Sequence, residues 1–542
     1  MASVALEEKA PATAIERADG TDLPVDQKSL AAEAAAAGQG VSGYETLTIW
    51  ETAKKFKFNI FVCTMMAVSA AADGYQIGMV GNIIANPGFV DQFATGVNAE
   101  GERFLASSVI SAWNAIGSCG QFVGMVTLPF LSGRWGRKFA MFWLWSNLVI
   151  SIILECVAKE WRVWLVAKLF GGIGVGCLQS TIPTYISEIA PVRIRGALLM
   201  CYNLWWITGQ FFAPVALQAM STSAPRNYLT PVYSQWGLIG LMLIIYVLVP
   251  ESPAWAASVG KEERAKKALR FLHWDVKDYD VDHQYHLLVL NTEHEKAIAL
   301  EQKREKWYAI FRGRDGFRTL VSCWTLMTQQ FIGLGLFFGY ASYFFQQIGF
   351  EDPFKITCIT SGINIFFSVV SIWAADYIGR RVMACSGTTL CWTCCVVVGI
   401  LGVAPDSSAT DYILILFTVF WNIGLVANGA TGWGFIGEVS SQRLRHYTAG
   451  FAAASTTIFG IIFGVLTPYM INANDWNWGL KTAWFFAGVG LPFTVAMWFL
   501  IPETKGRSAA ELDELFERKI KPYRFKKTTT MTERIVESNY KA

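Results

Sequence analysis

The chain has 542 residues, of which 53% are hydrophobic, 14% aromatic and only 16% charged. Soluble proteins of this length carry more charge, so the composition predicts an integral membrane protein. The formal net charge of +3 at pH 7 is too small to attract nucleic acid, and we expect no nucleic-acid partner.

Residues 1–57 form a leading tail rich in Ala, Glu, Asp and Lys. The tail lacks the apolar core and the cleavage site of a signal peptide. Because it also has few large apolar residues, we predict a disordered or weakly helical tail in the cytosol.

Twelve apolar runs follow the tail, and a helix needs about 20 such residues to cross the hydrocarbon core of a bilayer. The runs lie at approximately 58–83, 104–131, 139–158, 163–187, 197–219, 234–250, 318–347, 355–377, 382–404, 411–437, 447–471 and 481–501. We therefore predict an all-α integral membrane protein with twelve transmembrane helices.

Six of these runs fall in residues 58–250 and six in residues 318–501, which predicts two six-helix halves. Between them, the charged segment 251–317 contains stretches such as "KEERAKKALRFLH" and is predicted to be a cytosolic linker of short helices. Short loops on the side of the linker are enriched in Arg and Lys, which places both termini, including the tail 502–542, in the cytosol. We expect a multi-pass protein of the plasma membrane.

The two halves repeat each other at their cytosolic turns. The turn "GRWGRK" of the first half returns as "DYIGRR" in the second. Glu188 stands seven residues before Arg195, and Glu438 stands seven residues before Arg445. Internal repeats with a binding site between them are typical of secondary transporters. The sequence therefore favours a membrane transporter over an enzyme.

The acids and bases of these turns can form charge-assisted bonds between neighbouring helices while the cytosolic side is closed. We predict an inner gate that breaks when the transporter opens inward, made of Arg137, Glu188, Arg195, Asp376, Arg380, Glu438 and Arg445. The alternative is topological, because basic residues also hold loops in the cytosol.

Motifs for catalysis and for metal or nucleotide binding are missing from the sequence. Most of the eleven cysteines lie in apolar segments, and the lone C-x-x-C of Cys391 and Cys394 has no second pair at zinc spacing. No G-x-x-x-x-G-K-[ST] loop for ATP is present. We therefore expect no cofactor, no metal and no enzymatic activity.

Several longer motifs resemble those of the sugar porter family of the major facilitator superfamily. They are "LFGGIGVGCLQSTIPTYISEIAPVRIRG", "PESP", "QQFIG", "DYIGRR" and "PETKGR". Two others, "CYNLWWITGQ" and "IGEVSSQRLR", look more narrowly like the fungal maltose and α-glucoside permeases. The resemblance covers nearly everything from Asn59 to Arg507, and it implies a central sugar site and alternating access. We expect a monomer in the lipid bilayer.

The resemblance also implies which residues contact the sugar. They are Asn203, Gln210, Gln329, Gln330, Asn364 and Trp433. Amides suit a sugar because they both donate to and accept from hydroxyl groups, and an aromatic ring packs on its C–H face. For Gln329 and Gln330 the alternative is hydrogen bonding between helices. Gly335 and Gly339 stand where the family often has Asn and Tyr, which predicts a larger pocket with fewer polar contacts.

The first span carries one carboxylate, Asp73, and one amide, Gln76. An ionised side chain in the membrane is expensive, so both residues are candidates for a functional site. Proton-coupled members of the family usually have Asp at the position of Gln76, whereas α-glucoside permeases also have an acid where Asp73 stands. We predict proton symport through Asp73, with Lys168 as its candidate partner and Glu155 as the other acid of interest.

Three functions are compatible with these observations. The first is proton symport of a sugar, either an α-glucoside such as maltose or a hexose. The second is passive transport, or transport of another polyhydroxylated compound such as a polyol, a sugar acid or a secondary metabolite, which Gln76, Gly335 and Gly339 favour. The third is a nutrient sensor built on a transporter fold, for which the C-terminal tail is short.

Overall fold

A computed structural model of the chain describes residues 44, 47–97, 101–277, 279–304, 307–405, 407–441, 444–505, 507 and 509–528. The first half and the linker contain helices α1 (Ile49–Lys55), α2 (Lys57–Val68), α3 (Ala70–Ile83), α4 (Pro87–Phe93), α5 (Ser107–Trp135), α6 (Arg137–Val157), α7 (Trp161–Ile189), α8 (Arg195–Ser223), α9 (Leu229–Leu248), α10 (Pro253–Ser258), α11 (Glu262–Leu272) and α12 (Val281–Arg304). The short strands β1 (Gly96–Val97) and β2 (Arg103–Phe104) pair antiparallel in the first outer loop.

The second half contains helices α13 (Gly313–Phe331), α14 (Ala341–Gln347), α15 (Pro353–Ile378), α16 (Arg380–Leu401), α17 (Ser408–Val439), α18 (Arg445–Ile471), α19 (Thr482–Leu500) and α20 (Ala509–Glu517). A π-helical segment, Gly335–Gly339, stands between α13 and α14, and short 3₁₀ turns lie at Val192–Ile194, Trp307–Phe311, Gly479–Lys481 and Pro522–Lys527. Each predicted apolar run corresponds to one helix or to one pair of consecutive helices, which confirms the all-α membrane architecture of two six-helix halves.

Ten of the helices in the described part of the chain are long and apolar enough to cross a membrane. Of the two other spans, α13 begins with three charged residues, Arg314, Asp315 and Arg318, and α8 carries polar side chains such as Asn203 and Gln210 within its apolar surface. Helices that face an aqueous cavity rather than lipid are expected to have this composition.

The seventh span differs from the continuous run that the sequence predicted. Helix α13 ends at Phe331, and Gly333 then adopts a positive φ of 91°, a conformation that glycine tolerates without steric strain. The chain resumes as the π-helical segment Gly335–Gly339. Sharp breaks of this kind need glycine or a π-bulge, and this span has both.

The linker packs beneath the first half. The side chain of Asp275 accepts a hydrogen bond from the backbone amide of Phe58 at the start of α2, with a distance of 3.1 Å. Nδ2 of Asn59 lies 3.2 Å from Nε2 of His273, and the ring of Tyr279 stacks on that of His273 at 4.3 Å. These contacts fix α11 and α12 to the cytosolic end of the first span.

The tail that precedes the first span is helical in its last part. Thr48 and Glu51 form a reciprocal capping box at the start of α1, and Thr52 is buried. This part of the tail is helical, the second of the two alternatives predicted for it, and the ring of Phe56 packs on that of His273 in the linker at 5.5 Å. Residues 1–43 lie outside the described part of the chain.

The C-terminal tail packs beneath the second half. Arg318, buried at the start of α13, pairs with Asp513 of α20 at 2.5 Å and donates from Nε to the carbonyl of Val439 at 3.0 Å. Phe516 and Phe525 join a hydrophobic cluster with side chains of α13, α16 and α17. The tail therefore covers the cytosolic end of the second half, as the linker covers that of the first.

The two halves contact each other directly near the outer surface. Ser107 of α5 donates to Asp475 at 2.5 Å, and Asn472 donates to Ser107 at 2.9 Å. One turn further into the membrane, the hydroxyl of Ser111 donates to the carbonyl of Val465 on α18 at 2.8 Å. These bonds close the outer side between α5 and α18.

A second contact between the halves closes the outer side between the first and seventh spans. A Cβ atom built on Gly81 would lie 1.6 Å from the carbonyl oxygen of Gly339, so the two backbones touch here. One residue further along, Asn82 accepts a hydrogen bond from the backbone amide of Ser342 at 3.3 Å. The two halves are thus in contact at this end of the first and seventh spans.

We expect the docking of the linker to weaken when the cytosol becomes acidic. Burial lowers the pKa of His273 from 6.5 to about 4, because the charged ring would lose its hydration. The unfolded state therefore binds more protons than the folded state, and stability falls as the pH drops from about 6.5 toward about 4. Thermal unfolding of the purified protein across this range measures the effect.

Replacement of His273 by Gln is the test of this assignment. The variant should lose most of the pH dependence of the unfolding temperature, because Gln does not titrate. Replacement of the exposed His283 by Gln serves as the control and should leave the dependence in place. An unchanged dependence in His273→Gln would contradict the assignment.

We expect Gly81→Ala to favour the outward-open state. The added methyl group would overlap the carbonyl of Gly339 in the closed arrangement, and the halves would have to separate there. A cysteine placed at Val80 should then react faster with a membrane-impermeant thiol reagent added outside. Gly488→Ala is the matched control, because its methyl group would point into open space. Equal labelling in the two variants would refute the role given to Gly81.

Candidate functional site

A central cavity of about 540 Å³ lies between the two halves. Its walls come from α8 of the first half and from α13, the π-helical segment, α15, α16 and α17 of the second half. It extends from Trp206 and Phe338, in the middle of their spans, to Arg380 and Glu438 at the cytosolic ends of α16 and α17. The contacts of Ser107, Ser111 and Gly81 between the halves lie at the opposite ends of the spans.

Three of the residues predicted to contact a sugar line this cavity, namely Asn203, Gln329 and Asn364. The side-chain oxygen of Asn364 is buried and has no hydrogen-bond partner within the described structure. Gln329 donates from Nε2 to Oδ1 of Asn428 at 2.7 Å, which leaves its own carbonyl oxygen available for a hydroxyl group. Amides from both halves therefore face the same space, as a sugar site requires.

The other predicted sugar contacts lie elsewhere. Gln210 is 8% exposed and packs against α3, where its backbone lies beside Gly74 and Gly78. The amide of Gln330 lies beside Gly460 of α18. Trp433 belongs to α17, but its side chain lies outside the described part of the structure. The assignments of these residues to sugar binding stay predictions.

Trp206 and Phe338 are cavity residues that the sequence analysis missed. Their rings come from different halves and stack with centroids 6.5 Å apart and planes inclined by 27°. Helical spacing would have found Trp206, since it lies three residues after Asn203 and therefore on the same face of α8. Helical spacing does not indicate Phe338, because the side chains of a π-helical segment point in other directions than those of an α-helix.

Lys168 contacts Glu155 rather than Asp73, its predicted partner. The two side chains are 3% and 0% exposed and form an ion pair of 2.8 Å between α7 and α6. Gln76 donates to Oε1 of Glu155 at 2.8 Å, and Gln235 donates to its Oε2 at 3.0 Å. Every oxygen of this carboxylate is thus occupied. A buried pair of this kind is neutral overall and needs such further bonds to be stable.

Asp73 has a different environment, although it lies only three residues before Gln76. Its carboxyl group is 0% exposed and accepts hydrogen bonds from Nε2 of Gln179 at 3.2 Å and from the hydroxyl of Tyr202 at 3.5 Å. Both donors are neutral, and no cation of the described structure pairs with Asp73. This carboxyl group can therefore take up a proton without breaking an ion pair.

The charged turns form one ion pair within each half. Arg137 binds Glu188 through Nε and Nη2, with a shortest distance of 2.6 Å between Nη2 and Oε1. Arg380 binds Glu438 at 3.0 Å in the equivalent place. Each of the two pairs joins helices of a single half.

Two further acids complete the repeat. The carboxylate of Glu251 accepts a hydrogen bond from the backbone amide of Arg137 at 2.8 Å. The carboxylate of Glu503 accepts one from the backbone amide of Arg380 at 3.0 Å. Each acid thus binds the amino end of a helix, where the helix dipole favours a negative charge. The shared "PES" and "PET" endings of the sixth and twelfth spans were the signal in the sequence.

The remaining predicted gate residues are Arg195, Arg445 and Asp376. Arg195 lies beside Glu188 at a cytosolic cleft, and its buried Nε has no hydrogen-bond partner within the described structure. Arg445 is exposed, and the side chain of Asp376 lies outside the described part. A role of these seven residues as a gate stays a prediction.

The family model and the similar proteins that match this chain are all of transporters. The model of the sugar (and other) transporter family matches residues 62–516. The general alpha-glucoside permease of Saccharomyces cerevisiae is 27% identical over 503 residues, covering 91% of this chain and 80% of that protein. The MFS transporter fmqE of Aspergillus fumigatus is 27% identical over 524 residues, covering 93% of this chain and 95% of that protein.

The fold has solved counterparts. The inward open conformation of the xylose transporter XylE from E. coli matches with a TM-score of 0.68 at 21% identity, covering 84% of this chain and 99% of that one. The family match covers both halves, the linker and the cavity between the halves, which confirms the resemblance drawn from the motifs. The chain belongs to the family of sugar and other transporters, and it is a membrane transporter of the major facilitator superfamily.

Proposed function

We propose that the chain carries an α-glucoside or a hexose across the plasma membrane by alternating access, as a monomer with both termini in the cytosol. The observation that carries this proposal is the cavity between the halves, where Asn203, Gln329 and Asn364 present amides to one space. The name of the Saccharomyces permease supports the α-glucoside, and the volume of about 540 Å³ is within the usual range of ligand sites.

We also propose that transport is coupled to protons through Asp73. Glu155 is a poor proton carrier, because protonation would leave the buried ammonium group of Lys168 without a counter-charge. Asp73 is held by neutral donors alone, so the proton would neutralise a buried charge instead of exposing one. In this mechanism a proton from the outer solution binds the Asp73 carboxylate and later passes to cytosolic water.

A second candidate is transport of a polyhydroxylated compound with an apolar part, such as a secondary metabolite. The apolar wall of the cavity favours it, since Trp206, Leu334, Phe338 and Leu425 all line the space. A free hexose would cover only part of this apolar surface, because its C–H face is its only apolar part. A substrate panel that includes free sugars, α-glucosides and aryl glucosides separates the two candidates.

The function is tested by initial uptake of labelled maltose and glucose in cells that lack their own sugar carriers. We expect uptake that a protonophore abolishes and that Asp73→Asn reduces to the background, because Asn cannot exchange a proton. Asp411→Asn, at an exposed position on α17, is the matched control and should transport normally.

Each other outcome has a definite meaning. Uptake that resists both the protonophore and Asp73→Asn would make the protein a passive facilitator. No uptake of either sugar, with a signal for an aryl glucoside, would select the second candidate. No uptake of any member of the panel would contradict the proposed substrate class.

We expect Glu155→Gln to destabilise the protein more than Asp73→Asn does. Loss of one partner of a buried ion pair typically costs about 3 to 5 kcal/mol, because the other charge stays buried. The double variant Glu155→Gln with Lys168→Met should recover much of this loss, since it removes both charges. Thermal unfolding in detergent checks the series. A Glu155→Gln protein as stable as Asp73→Asn would contradict the assignment of the charges.

A further inference from the structure

A second cavity lies in the first half, on the side that faces α18 of the second half. It has a volume of about 130 Å³ and is formed by α3, α5 and α7. Its wall reaches the second half at Asn114, because a Cβ atom built on Gly464 of α18 would overlap the amide of Asn114. We call this space the side cavity, and it shares no lining residue with the central cavity. The polar residues of its wall are Gln76, Asn114, Ser118, Gln121 and Lys168.

Gln76 brings to this wall a hydrogen-bond acceptor that has no donor. Its side chain is 5% exposed, and its Nε2 donates to Ser151 at 3.0 Å and to Glu155 at 2.8 Å. This fixes the orientation of the amide, because the carboxylate of Glu155 only accepts. The Oε1 atom of Gln76 is buried and has no partner within the described residues. A buried acceptor of this kind is costly unless a donor reaches it, so the side cavity suits a ligand with hydroxyl groups.

Two glutamines connect the side cavity to Asp73. Gln121, in the cavity wall, donates from Nε2 to Oε1 of Gln179 at 2.8 Å. Gln179 donates from its own Nε2 to Oδ1 of Asp73 at 3.2 Å. Because an ionised carboxylate only accepts, it sets the orientation of Gln179, and Gln179 in turn sets that of Gln121. The carbonyl oxygen of Gln121 is thus left available for an occupant of the side cavity.

Protonation of Asp73 reverses this chain of amides. With the proton on Oδ1, the carboxyl group donates to Oε1 of Gln179, and Nε2 of Gln179 then donates to Oε1 of Gln121. The Nε2 atom of Gln121 is thereby turned toward the side cavity. Gln121 and Gln76 now offer one donor and one acceptor, where the ionised state offers two acceptors. A hydroxyl group has one proton to donate and can also accept, so it is better satisfied by the second arrangement.

The other titratable and charged groups around Asp73 come from α6, α7, α8 and α9. Tyr202 of α8 lies 3.5 Å from Oδ2, a long hydrogen bond that leaves Oδ1 as the more closely bound oxygen. Tyr246 of α9 is buried in the hydrophobic cluster that contains Ala72, the neighbour of Asp73 in the chain. Glu155 of α6 and Lys168 of α7 bind each other. Tyrosines ionise only at alkaline pH, so Asp73 is the group whose charge changes near neutral pH.

We propose that the side cavity binds a hydroxyl-bearing part of the transported sugar, and that protonation of Asp73 strengthens this binding through Gln179 and Gln121. A proton from the outer solution binds Oδ1 of Asp73, and the sugar gains one hydrogen bond. By reciprocity, the bound sugar raises the affinity of Asp73 for the proton. A space of about 130 Å³ is smaller than a typical ligand site, so it takes part of the substrate. The inference rests on the proposed proton symport of a sugar.

The connection is tested by Gln179→Leu, because Gln179 lines neither cavity. The measurement is the Kd of maltose for the purified protein in detergent, followed by tryptophan fluorescence at mildly acidic and mildly alkaline pH. We expect the unaltered protein to bind about tenfold more tightly at acidic pH, the effect of one hydrogen bond. Gln179→Leu should lose this difference. Ser180→Ala is the matched control and should keep it, since the Ser180 hydroxyl bonds the carbonyl of Cys177 in its own helix.

Occupation of the side cavity is tested by Gly117→Val, which fills it. A Cβ atom on Gly117 would have the carbonyl oxygen of Lys168 as its nearest neighbour, at 3.7 Å, so the new side chain enters the space without a clash. We expect the Kd of maltose at acidic pH to rise by about tenfold, because the hydroxyl-bearing part is excluded. Gly240→Val, at an exposed position on α9, is the control and should bind normally. If Gln179→Leu does not fold, as judged by thermal unfolding, Gln121→Leu breaks the same chain at its other end.

The outcomes distinguish the inference from the function on which it rests. If the unaltered protein does not bind maltose, or if its uptake ignores a protonophore, the proposed function is wrong, and the inference with it. If the unaltered protein is proton-driven and Gln179→Leu keeps the pH difference in Kd, symport stands and the two glutamines are not the connection. Equal binding of maltose by Gly117→Val and the unaltered protein would mean that the side cavity holds only solvent, which also overturns the inference.

Discussion

The arrangement of this transporter depends on the free-energy penalty of placing an ionised group inside a membrane. Glu155 and Lys168 meet that penalty by pairing, and two glutamines bind the carboxylate oxygens as well. Asp73 has only neutral donors around it. The same penalty explains why the other charged side chains of the repeat lie at the ends of the helices. There Arg137 pairs with Glu188, and Arg380 pairs with Glu438.

The contrast between these buried acids organises the first half by function. The network of Glu155 includes Lys168, Gln76 and Gln235, so it holds α3, α6, α7 and α9 together as one body. The carboxyl group of Asp73 sits where α3 meets α8, the helix that lines the cavity. In the proposed symport, the group that would change its charge during a cycle is thus separated from the pair that would not.

Much of the architecture could be predicted from the sequence because length and polarity alone decide which segments enter a bilayer. The repeat of the charged turns was also visible, since helix ends and loop charges are local features. Of the residues predicted to contact a sugar, Asn203, Gln329 and Asn364 line the cavity. Gln210 and Gln330 lie on the same helices as Asn203 and Gln329 but outside the cavity wall, because the facing of a side chain depends on the rotation of its helix.

The pairing of Lys168 with Glu155 could not be predicted from the sequence for the same reason. Their helices, α6 and α7, are joined by an outer turn, and only the packed arrangement shows that the two side chains meet. The break after Phe331 was also missed, because a glycine-rich apolar run is compatible with a continuous helix. Trp206 could have been found by spacing along α8, whereas Phe338 could not.

The cytosolic segments are divided between the halves, with the linker helices fixed to the first and the C-terminal tail fixed to the second. The 3₁₀ turn Trp307–Phe311 already belongs to the second half, where Phe311 packs on Phe451. The linker helices and this turn therefore belong to different halves. Each half can tilt with its own cap attached, so a change of facing exposes no hydrophobic core beneath either half.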